Sequence, residues 1–500
     1  MVWHCPRLDR CLFRMASSVG PLAVPQGQWG IVMEYISTRG QDGPIGFDDA
    51  LLSGLARDGG LYLPVEWPRL SHDEWAALKG KSYQEIATEI MIRFTDGEIG
   101  RDEMMAMVTD TYAGFRHDTV APVVPVADNI HLLELFHGPT IAFKDYAMQF
   151  LSRAFDRALA QRGRRAVILG ATSGDTGSAA LEAFQGRDFV DIFILFPEGR
   201  VSPIQQKQMT SIMADGAFAV AVKGDFDACQ DAVKALFRDL EFRDRVGLSA
   251  INSINWSRLM PQIVYYATSA LAHGAPERPV TFSVPTGNFG NIFAGYAARQ
   301  MGLPISRLIC ASNRNDILTR FFESGTMERR SVEPSLSPSM DIQVSSNFER
   351  LLFELLGRDG AAVREQMQVF ASTGRFSVDD TALDAARGLF SAFRLDDAGI
   401  LDEIRTTLDE TGMVIDPHSA VGLAAARAAR RDGLVDAETP LIALACAHPA
   451  KFPDAVRDAV GQMPPLPPHL ADLMERDERM LTASDDTAAI ATLVDSKRRG

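Results

Sequence analysis

The chain has 500 residues, more than one ordinary hydrophobic core accommodates, so two or three domains are expected. Its apolar fraction of 46% and charged fraction of 23% are those of a water-soluble globular protein, and no apolar run reaches the length of a helical membrane span. A formal net charge of −15 argues against binding nucleic acid or an anionic membrane through bulk charge, so an anionic substrate would need locally placed donors.

Residues 1–32 hold Arg7, Arg10 and Arg14, a single acid (Asp9), and two of the five cysteines. They lack the long apolar centre of a secretory signal and read as a disordered leader or a start-site artefact. The cysteines at 5, 11, 229, 310 and 446 form no CxxC pair and no regular framework. Neither a disulfide scaffold nor a metal site is expected, and the usage fits a reducing, cytoplasmic setting.

From Met33 turn and cap signals are dense. Phe47-Asp-Asp-Ala-Leu-Leu52 reads as a short helix, and Asp58-Gly-Gly-Leu-Tyr-Leu-Pro64 as a turn into a strand that ends at proline. Residues 72–115 read as mostly helical, so 33–120 is expected to be an N-terminal domain. Beyond it strand and helix signals alternate. Ala166–Leu169, Asp191–Phe196, Phe218–Val222, Val280–Val284 and Ser306–Cys310 are apolar runs, separated by helical patterns such as Phe226–Leu240. The alternation predicts parallel sheets flanked by helices, with ligands beyond the carboxyl ends of the strands. Residues 315–415 are less regular and more helical. Pro440–Ala445 is a late strand and Lys451–Val460 a late helix. Residues 464–500 read as a proline-rich spacer and a charged, peripheral tail.

Three constellations and one single residue carry chemistry. In His137-Gly-Pro-Thr-Ile-Ala-Phe-Lys-Asp-Tyr146, Lys144 opens a helix with apolar positions at Ala147, Phe150, Leu151, Ala154 and Phe155. A lysine carried into apolar surroundings loses its proton more readily, and the neutral amine attacks carbonyls. That is the requirement for a Schiff base with pyridoxal phosphate (PLP). A lysine snorkelling from a helix start fits the segment equally well. The loop Gly287, Asn288, Phe289, Gly290 and Asn291 stands between a strand and a helix start, where backbone amides and the helix N-terminus can hold a phosphate. It is neither GxxxxGK[ST] nor GxGxxG, and an ordinary tight turn would look the same. The loop Ser173, Gly174, Asp175, Thr176 and Gly177 is a second of this kind, although Asp175 would repel an anion and should face a cationic or protic group. An N-cap cluster is the plainer account of it. Cys446 ends the late strand, where a small protic side chain could meet a ring nitrogen or simply fill space.

In order along the chain, these pieces resemble the threonine synthases, PLP enzymes of the tryptophan-synthase-β fold type. Tyr35–Gly40, Gly54–Pro64, His137–Asp145, Ala171–Gly177, Gly199–Pro203, Asn252–Arg258, Gly287–Asn291, Ser337–Asp341, Ser346–Arg350, Asp416–Ser419 and Ala447–Phe452 all fall in family order. The resemblance implies an α/β protein of PLP fold type II, with two parallel-sheet lobes over residues 121–463 and an added N-terminal domain. It implies that Lys144 carries the cofactor, that Gly287–Asn291 hold its phosphate, and that Asp175 and Cys446 face its ring. Ser173, Gly174, Thr176, Gly177, Asn252, Asn255 and Arg258 become substrate-binding candidates. For Arg258 a structural ion pair is an equal alternative. The family usually has threonine or serine where Cys446 stands, and a thiol is a poorer hydrogen-bond partner. The reaction implied is conversion of O-phospho-L-homoserine and water to L-threonine and phosphate, by a cytoplasmic monomer or homodimer without nucleic-acid or membrane partners. A serine/threonine dehydratase-like lyase and a non-catalytic PLP-binding homologue are the alternatives.

Overall fold

The computed structural model describes residues 33–95, 97–172, 174–251 and 253–499. The expected leader and the candidates Ser173 and Asn252 lie outside the described residues. In chain order the strands are β1 (Tyr35–Ser37), β2 (Tyr62–Pro64), β3 (Val123–Ala127), β4 (Ile130–Glu134), β5 (Ala166–Ala171), β6 (Val190–Pro197), β7 (Ala217–Lys223) and β8 (Leu248–Ser249). They continue with β9 (Val280–Pro285), β10 (Ile305–Ser312), β11 (Thr326–Glu328), β12 (Arg375–Ser377), β13 (Phe390–Arg394), β14 (Leu441–Ala445) and β15 (Leu481–Ser484).

Two large sheets result. One has the order β13-β10-β9-β14-β4-β3 and is parallel except for the antiparallel edge pair β3–β4. The other, β15-β7-β6-β5-β8, is parallel throughout. Parallel strands are joined by helices that cover both faces of the sheet. The central strand β6, Val-Asp-Ile-Phe-Ile-Leu-Phe-Pro, is accordingly buried along its whole length.

The helix Lys144–Gln161 packs against the helices Asp175–Phe184, Trp256–Ala272 and Arg101–Tyr112. It is buried on nearly every side from Lys144 to Leu159. A residue at its first turn is therefore held by both sheet regions and by the N-terminal segment. Tyr35, Phe47, Trp75 and Phe94 of that segment belong to one continuous apolar cluster with Phe150, Trp256, Phe282 and Phe390. The apolar residues of 33–120 are thus continuous with the core of the α/β body. Arg39, which pairs with Glu349 at 2.9 Å, ties the two together.

The C-terminal stretch departs from expectation. β15 pairs in parallel with β7, and the helix Thr487–Lys497 buries Ile490 and Val494 against the same layer as the helix Phe226–Arg238. The charge of residues 464–500 concealed a short strand and a helix that complete one edge of the second sheet. The late helix begins at Pro453 rather than Lys451, because Pro449–Lys451 forms a separate tight turn.

Candidate active site

A cavity of about 670 Å³ opens between the carboxyl ends of the two sheets. Phe143 and Lys144 reach it after β4, the segment Pro285–Asn291 after β9, and Cys446 after β14. Asp175 and Thr176 enter from β5 of the other sheet, and Phe226 and Gln230 from the helix after β7. Crevices at strand carboxyl ends are where α/β sheets bind ligands.

Lys144 is 9% exposed, and its Nζ lies 4.7 Å from the centre of the Phe143 ring. Its surroundings are not simply apolar, as expected from the sequence. Nζ donates to Asp175 Oδ2 at 3.2 Å. The same oxygen accepts from Ser339 Oγ at 2.7 Å, while Oδ1 accepts from Gln205 Nε2 at 2.8 Å and lies 3.5 Å from Lys451 Nζ. Burial alone would raise the Asp175 carboxyl. Lys144 and Lys451, with the Ser339 hydroxyl, outweigh it and hold the group far below the usual carboxylate range. Asp175 therefore faces cations and protic groups.

The Gly287–Asn291 loop leads into the helix Gly290–Gln300, whose first amides have no intrahelical partner. A Cβ at Gly287 would press on Met340 Cα at 3.1 Å, so only glycine lets the loop and the 338–342 turn close together. Phe289 sits at φ +63°, a conformation costly for a bulky residue. Ser345 Oγ, donating to the Gly287 carbonyl at 2.7 Å, and the Asn347 amide, donating to the Asn288 carbonyl at 3.1 Å, hold it there. The Phe289 ring points away into an aromatic cluster, 5.3 Å from Phe348 and 5.7 Å from Phe390, so Phe289 offers the cavity only its backbone. Asn291 Oδ1 accepts from Tyr265 and Tyr266, and its amide nitrogen is buried without a partner among the described residues.

Arg258 also reaches the cavity wall, 5% exposed. Its Nη1 donates to the Ile251 carbonyl at 3.2 Å, its Nε has no partner among the described residues, and burial pushes the guanidinium down to about 10. No carboxylate pairs with it among the described residues, which disposes of the ion-pair alternative. An unneutralised guanidinium and an unpaired amide beside a helix N-terminus suit an anion.

Three candidates have other work. Asn255 is fully buried outside the cavity: its Oδ1 caps the helix Trp256–Ala272 at the Ser257 amide, and its Nδ2 donates to the Leu51 carbonyl at 2.8 Å. The amides of Gly174 and Gly177 both donate to Thr172 Oγ1, at 3.0 and 2.9 Å. A side chain at Gly177 would strike Thr172 and Ile194, so this glycine serves helix–strand packing. Of that loop only Asp175 and Thr176 line the cavity among the described residues. Cys446 lines it too. Burial first, then Asp416 and Asp175, push its thiol up, against a lowering by Lys144, so it is a protonated thiol at neutral pH.

Sequence reasoning quoted the motifs of Ser339, His418 and Lys451 but gave these residues no role. His418 Nε2 accepts from the Ser339 amide at 3.2 Å, which assigns its proton to Nδ1, donating to Asp416 at 2.8 Å. Ser339 thereby aims its hydroxyl at Asp175. The residues present suit pyridoxal phosphate: a buried lysine for its aldehyde, a glycine-rich helix start with an unpaired amide for its phosphate, and a small protic side chain on the Cys446 wall.

Known proteins agree. Models described as the threonine synthase N terminus, pyridoxal-phosphate dependent enzyme, and threonine synthase C-terminal match residues 34–112, 126–373 and 419–494. The chain is 51% identical to the threonine synthase of Pseudomonas aeruginosa, covering 92% of this chain and 98% of that one. It is 42% identical to that of Methylobacillus glycogenes, covering 92% and 99%. The PLP-bound threonine synthase structure from Brucella melitensis superposes with a TM-score of 0.91 at 54% identity, covering 94% of this chain and all of the other. The yeast enzyme superposes at 0.88 with 36% identity, covering 93% and 99%.

Proposed function

The chain belongs to the threonine synthase family, and we propose that the cavity between its two sheets, with Lys144 at its centre, is where the family's reaction is carried out. It is a PLP-dependent lyase that turns O-phospho-L-homoserine and water into L-threonine and phosphate. One observation carries the site: Lys144, Asp175 and the Gly287–Asn291 helix start come from separate segments and line a single cavity.

Bound PLP supplies an electron-withdrawing ring that takes up the charge of a substrate carbanion. The protein's part is positioning and proton movement. Gly287, Asn288, Gly290 and Asn291, with the Phe289 backbone, hold the cofactor phosphate through amides and the helix terminus. Lys144 holds the aldehyde end. A free Lys144 amine would be placed to move protons between the substrate carbons. Asp175 accepts from Nζ and so orients it. Cys446 would offer the ring of a bound cofactor a neutral thiol. Arg258, with Thr176 across the cavity, holds the substrate phosphate and steadies it as it leaves, the role an unpaired buried guanidinium performs best. Burial of Lys144 on a helix packed on all sides keeps solvent from competing with these transfers.

The buried, free state of Cys229, Cys310 and Cys446 supports a reducing, cytoplasmic setting. We read the enzyme as a monomer or homodimer that acts on a small molecule and has no nucleic-acid partner; the net charge of −15 supports the last point.

Purified enzyme given O-phospho-L-homoserine should release threonine and phosphate in equal amounts. Lys144→Ala should lose the visible absorbance of bound cofactor and at least about 10³-fold in turnover. Release of a 2-oxo acid and ammonia would mark a dehydratase-like lyase instead. An absorbance unchanged in Lys144→Ala would remove Lys144 from the role.

A further inference from the structure

A second buried lysine lies beside Asp175, and none of the steps above uses it. Lys451 follows β14 and has no solvent exposure. Its Nζ donates to the Thr140 carbonyl at 2.8 Å, to Gln208 Oε1 at 3.2 Å and to Ser178 Oγ at 3.3 Å. Thr140 also binds Asp145, through its amide at 2.8 Å and its hydroxyl at 2.6 Å, and so shapes the turn that presents Lys144. Two ammonium groups and two carboxylates thus share one buried cluster: Lys144 and Lys451 with Asp145 and Asp175.

A buried carboxylate stays ionised only beside compensating charge. Lys144 is an unreliable source of it, because a lysine that attacks a carbonyl carbon or lifts a proton must be uncharged when it does so. Lys451 has no such duty. It stands behind Asp175 and off the cavity wall, against the oxygen that Lys144 does not use. We propose that Lys451 is the standing counter-ion of Asp175, a positioning residue that keeps this carboxylate ionised while Lys144 gains and loses its proton. Asp175 can then orient Nζ throughout turnover without becoming the resting place of the proton.

The charged and titratable groups around Asp175 are Lys144 from its own helix, Lys451 from the turn after β14, Cys446 from the end of β14, and His418 behind Ser339, with Asp416 beyond it. Asp145 is the other carboxylate near Lys451. Burial lowers the Lys451 pKa, Asp175 and Asp145 oppose that, and Lys144 adds to it. Without Lys451, burial would dominate at Asp175 whenever Lys144 is uncharged. Its pKa would rise, and a proton bound there would persist to higher pH.

The inference rests on Lys144 being the cofactor lysine. Its test is a pH titration of the visible absorbance of the holoenzyme, with kcat/KM measured over the same range. In Lys451→Met the acid-side midpoint of both should move up by about one pH unit or more, an approximately tenfold loss on the acid limb. Adding Asp175→Asn to Lys451→Met removes the uncompensated carboxylate, so the absorbance midpoint should fall back and the unfolding temperature should exceed that of the single variant. An unmoved midpoint in Lys451→Met, or a double variant shifted as far as the single, overturns the proposal. If Lys451→Met does not fold, the double variant must recover folding; failure of both equally overturns it. A wild-type enzyme with no visible band would sink the reading of Lys144 itself, whereas a band that does not shift sinks only the role of Lys451.

Discussion

At Arg258 a guanidinium is buried without a carboxylate beside it among the described residues, an arrangement that costs stability in the free protein and is relieved by an anion. Arg258→Met should therefore leave the ligand-free protein at least as stable, while KM for O-phospho-L-homoserine rises on the order of 10- to 100-fold, the loss expected for a charge-assisted hydrogen bond. Urea unfolding of the apoprotein beside steady-state kinetics reads both. A loss of about 3 kcal/mol in stability with KM unmoved would return Arg258 to a structural role. The residue type was legible in the sequence, and the missing partner was not: whether an arginine finds a carboxylate depends on which segments fold against it. Lys144 and Asp175 illustrate the same limit. Each was legible as a chemistry-bearing residue on its own loop, but their contact at 3.2 Å follows only from the meeting of two helix starts.

Helix starts place most of the site, and they also misled. Asn252-Ser-Ile-Asn-Trp-Ser-Arg258 offered two asparagines as ligands, yet Asn255 spends both ends of its amide on structure, capping the helix Trp256–Ala272 and donating to Leu51. A cap and a ligand have the same signature, a short polar side chain before a helix, and only the direction of the side chain separates them. Asn255→Ala should lower stability by about 2 kcal/mol or more, one part for the lost cap and one for the unsatisfied Leu51 carbonyl, with KM within about twofold of wild type. The urea midpoint and KM check this together; a tenfold rise in KM at unchanged stability would restore a substrate contact. The strands β5, β6, β7, β9 and β10 were legible because parallel strands covered on both faces are written as apolar runs. β13, Phe-Ser-Ala-Phe-Arg, and β15, Leu-Thr-Ala-Ser, are short edge strands that carry no such run.

Across the whole molecule, the C-terminal stretch expected at the periphery closes the β7 edge of the second sheet. It also packs on the helix Phe226–Arg238, which carries Phe226 and Gln230 to the cavity rim. Removing residues 477–500 would expose that edge and lose the burial of Ile490 and Val494 against the second sheet's layer, with each side chain accounting for about 1.5–3 kcal/mol. The truncated enzyme should melt at a lower temperature and aggregate, visible by calorimetry and light scattering. An unchanged melting temperature would make the tail dispensable. The sequence by itself determined the fold class and the order of the glycine-rich and lysine segments, because glycine-rich strand-to-helix turns and apolar strands are local signals, and the family chemistry followed from the resemblance of its ordered motifs. Only the tertiary structure decided which side chains share the cavity and which hold the chain together. It set Arg258 without a counter-ion among the described residues, turned Asn255 away, and brought Ser339, His418 and Lys451 around Asp175. Side-chain direction and the balance of buried charge are settled by packing between distant segments, and no local pattern records them.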